Sequence, residues 1–279
     1  MTVPAADFHC LRERWRLQGT ITTRTALRIG AAGQGLDAVD LPVIKDGLGF
    51  PVIPGASIKG ALRATVEALV RGAAPDGAPG RIRACDPLSD GTSGEPAACG
   101  YRSRDDEPDA AATLGEHCTV CQLFGSHRLA SHVRISDAML ERDPGRDPAM
   151  DRAPIELRDG VSIHRDLGRA KNTGKYDFEV VPPGTDFQLE LFIENPRPWL
   201  AGLMLVGFDQ IDEGFTALGG FTSRGLGRVT ITWRSLAVTR AADLLAGRPA
   251  AIVRGDELPR TLDAWRADLG RYHAGKEGL

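Results

Sequence analysis

Two stretches with helical spacing of apolar residues, each set between stretches of alternating polarity, limit the folds open to this chain most sharply. Ser57 is a good N-cap for a helix running to about Arg71, with Ile58, Leu62, Val66 and Leu69 on one stripe. Lys59 and Arg63, four residues apart, share an exposed face of that helix. Pro198 opens a second helix whose Leu200, Leu203, Met204, Phe208 and Ile211 give one strongly apolar face to pack on a sheet. Ahead of the first helix, residues 15–23 alternate with Trp15, Leu17 and Ile21 on one side, the pattern of a half-buried strand. Residues 132–140 form another strand-like stretch. Tyr176–Val181 and Phe187–Ile193 follow as two more, joined by Pro182-Pro183-Gly184, a hairpin signal. Beyond the second helix, Val229, Ile231 and Trp233 alternate in a closing strand, and a short helix is expected around Leu262–Tyr272.

Strand, helix, strand, strand, helix, strand is the order of a ferredoxin-like (RRM-like) fold. The expectation is therefore an α+β protein, one modified ferredoxin-like domain over residues 1–279, with three additions. Residues 72–117 are rich in Gly, Pro, Ala, Asp and Ser without periodicity; they cannot build their own core and are expected as an irregular insertion. Residues 141–175 form a charged, turn-rich excursion, and 237–279 a C-terminal extension.

No apolar run approaches the roughly 18 residues a membrane span needs, and Met1–Arg16 lacks the apolar stretch of a signal peptide. A cytoplasmic chain with no membrane partner is expected. In that compartment, four of the five cysteines falling between positions 85 and 121 point to metal rather than disulfides. Cys118-x-x-Cys121, with Cys85 and Cys99 upstream, fits a tetrahedral thiolate zinc site. The upstream pair is separated by 13 residues, wider than a knuckle, so the close pair carries the signal and His117 could replace one thiolate. Four protein ligands leave no open position, which makes the metal structural. Cys10 stands apart.

Net charge is −3, from 34 basic and 37 acidic residues, a balance unlike that of a dedicated nucleic-acid binder. Phosphates respond to the local field, however, and residues 152–175 hold six Arg and Lys against three Asp and Glu.

The most informative segment is GGFTSRGLGRV, Gly219 to Val229. A dinucleotide fingerprint needs glycines that open a helix, and a Walker A loop needs Gly-Lys-Ser/Thr there; here the glycines lead into a strand. What remains is a loop whose backbone can approach a phosphodiester, at Gly220 and Gly225, with Arg224 and Arg228 at hand. The plain alternative is a tight β-turn with solvated arginines.

This segment resembles the C-terminal glycine-rich loop of the repeat-associated mysterious protein (RAMP) superfamily, the ferredoxin-like RNA-binding proteins of CRISPR effectors. Three further segments resemble that family in the same order: AVDLPVIKDGLGFPVIPGASIKGALR (Ala38–Arg63), CQLFGSHRLASHVRISDA (Cys121–Ala138) and KYDFEVVPPGTDF (Lys175–Phe187). With the residues from Leu27 that lead into the first of them, the resemblance spans Leu27 to Val229. The resemblance is to the backbone subunits of type III effectors and implies guide RNA, target RNA, further copies of the chain and other type III subunits as partners.

By this resemblance Asp40, just before Leu41-Pro42-Val43, is the catalytic carboxylate for target cleavage. A carboxylate beside a ribose 2′-hydroxyl can act as general base, or hold a divalent cation such as Mg²⁺ that does so. Asp37 could share that task, and Asp46 is a turn residue. The resemblance further places Ser57, Lys59 and Arg63 on the guide RNA, where a helix N-terminus with nearby cations suits a phosphate. It makes 141–175 a thumb hairpin that wedges into the duplex, with Arg165 on RNA and Val161, Ile163 and Leu167 as wedge candidates. It also implies a zinc in an insertion like 72–117. Where many members carry histidine before the Ile-Gly of the first segment, this chain has Arg28, which cannot act as a base but can meet a phosphate. That disfavours one alternative, a stand-alone guide-processing endoribonuclease. The other alternative is a non-catalytic RNA scaffold. His127, His132 and His164 have no convincing catalytic partners.

Overall fold

The computed structural model describes residues 7–31, 39–73, 82–92, 97–101, 114–142, 145 and 152–274. In chain order its strands are β1 (Glu13–Thr23), β2 (Val52–Ile53), β3 (Val133–Ile135), β4 (Ala138–Met139), β5 (Glu156–His164), β6 (Arg169–Val180), β7 (Asp186–Glu194), β8 (Val229–Arg240) and β9 (Ala251–Val253). The α-helices are α1 (Gly55–Ala73), α2 (Thr119–Phe124), α3 (Pro198–Asp212), α4 (Ala241–Leu245) and α5 (Glu257–His273). The architecture is mixed α/β with antiparallel sheets. A five-stranded sheet has the order β3-β7-β1-β8-β9; β2 with β4 and β5 with β6 form separate two-stranded sheets. No helix among the described residues is long and apolar enough to cross a membrane.

The alternation in β1 sends Trp15, Leu17 and Ile21 to one face, where they meet Leu189 and Leu191 of β7 and Leu236 of β8 in the core. Against that face lie α1, through Ile58, Leu62, Val66 and Val70, and α3, through Leu203, Met204, Phe208 and Ile211. The apolar stripe of α1 ends on Val70 rather than Leu69, which is 36% exposed.

Four sequence expectations need correction. First, α1 begins at Gly55, so Ser57 lies inside the first turn instead of capping it; Asp137 Oδ1 accepts the Gly55 N–H at 2.8 Å and does the capping from a distant segment. Second, residues 132–140 split into β3 and β4, on different sheets. Third, Pro182-Pro183-Gly184 joins no hairpin. The prolines have no N–H to give a ladder, and their segment instead turns a corner around Thr23: the Pro182 carbonyl accepts from Thr23 Oγ1 at 2.8 Å, and the Gly184 N–H donates to the Thr23 carbonyl at 2.7 Å. β6 therefore pairs with β5, while β7 crosses to β1.

Fourth, α3 is buried on more than the one face expected. Helix α5 lies on its outer side so closely that a Cβ on Gly202 would run into the Trp265 carbonyl. Trp265 stacks on Trp15 with ring centroids 4.3 Å apart, and Tyr272 on Trp199 at 3.8 Å. Trp265 is 5% exposed, so Trp265→Ala is expected to cost about 3–5 kcal/mol through lost burial and the cavity left behind; urea unfolding measures it.

Candidate functional site

The glycine-rich loop closes back on itself and on the segment after β1. The Leu218 N–H donates to the Gly227 carbonyl, the Gly227 N–H to Ala26 and the Gly220 N–H to Arg28, at 2.8 to 2.9 Å. Gly219 has φ +80°, and a Cβ there would collide with the Arg28 carbonyl. Both strain and overlap act against any side chain, so Gly219→Ala is expected to cost about 2 kcal/mol or more of stability, read as a drop in the thermal midpoint.

Inside this loop Phe221 takes φ +59°. The guanidinium carbon of Arg28 lies 5.0 Å and that of Arg224 4.6 Å from the centre of its ring. Phe178 of β6 meets the same ring edge-on at 5.3 Å, and Arg224 Nη1 donates to the Tyr176 hydroxyl at 2.7 Å. Burial draws the Arg28 guanidinium below its usual value, and its Nε is buried with no hydrogen-bond partner among the described residues. Leu41, Val161, Ser162, Tyr176, Phe221 and Arg224 line an open cleft of about 460 Å³.

Asp40 directly precedes Leu41, which lines that cleft, and is exposed. Its segment is pinned to β6 by backbone pairing: the Leu41 N–H donates to Asp177 and the Glu179 N–H to Leu41, both at 3.1 Å. Asp40 Oδ2 accepts the Asp177 N–H at 3.0 Å. Glu179 continues the clasp, accepting the Val43 N–H at 3.0 Å and Lys45 Nζ at 2.8 Å. Asp46 closes a turn, accepting the N–H groups of Leu48 and Phe50. Asp37 lies outside the described residues.

The β5–β6 hairpin projects beside the cleft. Leu157, Val161, Ile163 and Leu167 are each more than half exposed, and Arg165 lies in the exposed turn between the strands. Apolar side chains without a core to enter are unusual on an isolated two-stranded ribbon.

The helix residues go elsewhere. Lys59 and Arg63 are not on an exposed face: residues 121–133 cover it. Lys59 Nζ donates to Ser131 Oγ at 2.8 Å and to the Val133 carbonyl at 3.1 Å; burial first, then the Arg63 charge, lowers its pKa. Arg63 donates to Glu67 at 2.8 Å, to the Gly125 carbonyl at 3.2 Å and to Cys121 Sγ at 3.6 Å. Ser57 is half-buried at the start of α1. Arg228 leaves the arginine–aromatic cluster and lies over Gly214. Gly220 and Gly225 flank Phe221 and the turn Thr222–Arg224, with Gly225 at φ +88°.

Cys85, Cys99, Cys118 and Cys121 come together with all four sulfurs within 4.8 Å of one another. Cys118 caps α2, its Sγ accepting the Cys121 N–H, and Cys99 Sγ accepts the Cys118 N–H at 3.2 Å. The Cys85–Cys121 sulfur separation is 3.6 Å; a tetrahedral zinc with bonds of roughly 2.3 Å needs sulfurs about 3.8 Å apart. The donor set therefore fits a metal of that kind. Hydrogen bonds from Cys121, Cys85 and Cys99 draw the Cys118 thiol down. Cys85, raised by its bond to Cys118 but lowered more by Cys121 and Cys99, comes down to about 6. His117 is not one of the four ligands: its buried ring meets Ser126 Oγ at 2.8 Å. His132 is buried against Phe8 and the Glu194 carbonyl, while His164 lies 4.0 Å from Asp166 in the hairpin.

Sequence reasoning passed over Tyr176, Phe178 and Phe221. Their signal was present: aromatics at alternate positions 176 and 178, and one aromatic among four glycines.

The model of the RAMP superfamily matches residues 20–230. The CRISPR system Cms endoribonuclease Csm3 of Methanocaldococcus jannaschii is 25% identical over 223 residues, which cover 76% of this chain and 76% of that protein. The matched region runs from β1 through the glycine-rich loop into β8, and the chain belongs to the RAMP superfamily.

Proposed function

We propose that the chain is an RNA-binding backbone subunit of a type III CRISPR effector, with copies side by side along a guide RNA, and that Asp40 serves cleavage of the paired target. The observation that carries this reading is the cleft itself: Arg224, an aromatic cluster and a protruding apolar hairpin meet Leu41, whose neighbour Asp40 is an exposed carboxylate held by β6. The family membership and the endoribonuclease named among its relatives support it. The strand order β3-β7-β1-β8, with α1 and α3 as the two crossovers, supports the ferredoxin-like reading. The β5–β6 hairpin is then the thumb, its exposed Val161, Ile163 and Leu167 the wedge, and Arg165 a phosphate contact. Glycine-loop backbone at Gly220 and Gly225, with Arg28, Arg224 and Arg228, faces the RNA backbone. Ser57 at the α1 N-terminus remains a guide contact; Lys59 and Arg63 act chiefly by holding residues 121–133 in place.

In this role Asp40 takes the proton of a target ribose 2′-hydroxyl, so that the 2′-oxygen attacks the adjacent phosphorus and the 5′-oxygen leaves, taking a proton from solvent water, while Asp40 gives its proton back to solvent. The products are a 2′,3′-cyclic phosphate and a 5′-hydroxyl. Outside the cysteine cluster, the described residues bring no three metal-ligating side chains together. One carboxylate completed by substrate phosphates suits Mg²⁺, which would supply charge neutralisation and a lowered hydroxyl pKa. The four cysteines hold a structural zinc.

A non-catalytic scaffold is the second reading, because the Asp177 N–H to Asp40 bond is also what a purely structural aspartate makes. Binding of the purified chain to single-stranded RNAs of increasing length tests the array. A ladder of complexes, one more copy per fixed increment of RNA, is expected. A single one-to-one complex that requires a repeat hairpin would point to stand-alone guide processing instead.

A further inference from the structure

The arginine–aromatic cluster is organised by a residue that cleavage does not use. Phe221 is one of only two non-glycine residues with positive φ among those described, a conformation a bulky side chain rarely adopts. Glycine on either side of it, Gly219 and Gly225, takes positive φ too, so the loop has cheaper places to turn. What the unusual backbone achieves is the placement of the ring between Phe178, Arg28 and Arg224.

Room for this has been kept open. A Cβ on Gly30 would come 2.8 Å from Arg28 Nη2, and one on Gly220 would come 3.3 Å from Nη1. The Arg28 guanidinium is thus lodged between two glycines and an aromatic ring. Neither Arg28 nor Arg224 has a carboxylate partner among the described residues; what they share is the Phe221 ring. Arg224 spends one nitrogen on the Tyr176 hydroxyl and Arg28 Nε has no partner. Two cations gathered at one ring, with no carboxylate on either among the described residues, form a site that an anion completes.

We propose that Phe221 is a positioning residue whose ring holds Arg28 and Arg224 so that together they grip a single phosphate of the RNA backbone at the mouth of the cleft beside Asp40. This deepens, and rests on, the reading that the chain binds RNA. With two guanidiniums and Phe178 around it, Phe221 does not serve as a platform for stacking a base.

The test is fluorescence anisotropy of a labelled single-stranded RNA oligomer with the full chain, over a series of KCl concentrations. Wild type, Phe221→Leu, Phe221→Tyr, Arg28→Gln and Arg224→Gln are compared, with Phe221→Leu repeated in the double-glutamine background. Phe221→Leu is expected to lose roughly tenfold in affinity, and the slope of log K against log salt to shrink by about 0.7, the share of one single-strand phosphate. Phe221→Tyr restores both, and Phe221→Leu adds nothing once both arginines are gone. A slope that stays at the wild-type value in Phe221→Leu overturns the proposal, because a merely structural loss leaves the phosphate count unchanged. So does an unchanged slope in both arginine variants, which keep the ring and do not depend on Phe221→Leu folding. Failure of the wild type to bind RNA removes the underlying reading and the proposal together, and is recognisable as such.

Discussion

Replacing Asp40 by asparagine is expected to leave guide and target binding within about twofold of wild type while slowing target cleavage by roughly a hundredfold to ten-thousandfold. Asparagine separates the two roles open to this residue. Its side-chain oxygen can still accept the Asp177 N–H, as Asp40 Oδ2 does at 3.0 Å, so the segment from Asp40 to Val43 keeps its clasp on β6. What asparagine removes is the negative charge, and with it both the proton acceptor and the anionic ligand for a divalent cation. Asp40→Ala removes the hydrogen bond as well. If asparagine cleaves normally and alanine does not, the aspartate is structural and the chain is a scaffold. If both fail to cleave but still bind, the carboxylate is chemical. Single-turnover cleavage of a labelled target by the guide-loaded assembly makes the measurement.

Stripping the metal from the cysteine cluster is expected to lower stability by about 4 kcal/mol or more. Three separate segments meet there: Cys85, Cys99, and the Cys118–Cys121 turn that opens α2. Without a metal, four half-buried or buried sulfurs would have to repel one another or take up protons. The loss would spread to α1, since Arg63 and Arg71 of that helix reach Cys121 Sγ and the Cys85 carbonyl. Cys118 and Cys121 also belong to the same buried cluster as Leu17, Leu191 and Leu236, so the loss reaches the core beneath the sheet. Metal analysis should give close to one zinc per chain, and Cys118→Ser should reproduce the shift seen with chelator in a urea titration. A chain that binds no metal and unfolds identically with and without chelator contradicts this assignment.

The parts of the fold legible in the sequence were those in which one-dimensional periodicity determines one face. β1, β7, α1 and α3 each carry an apolar repeat strong enough to locate them within two or three residues, and β8 was located at its start but runs on to Arg240, past the expected boundary at 237. Pairing was not legible, because periodicity does not name a partner. The corner around Thr23 sends β6 and β7 to different sheets, and its hydrogen bonds link residues about 160 positions apart. The spacing of Lys59 and Arg63 correctly put them on one helical face, yet nothing in it told that residues 121–133 lie over that face. At the site, the cysteine pair Cys118–Cys121 stood out as a local pattern, whereas Asp40 was singled out only through the family resemblance. Phe221 did not stand out: glycines normally absorb the positive φ of such a loop, so the one aromatic that takes it is concealed among them.

The central claim is that this chain works as a repeated, RNA-guided unit. The most direct test is to purify it together with a guide RNA and the accompanying effector subunits, then map cuts in a complementary RNA at nucleotide resolution. The account predicts several cuts at one fixed spacing, each leaving a 2′,3′-cyclic phosphate, all of them lost together in Asp40→Asn. A complementary RNA that stays whole, or is cut at irregular sites insensitive to that substitution, would contradict it.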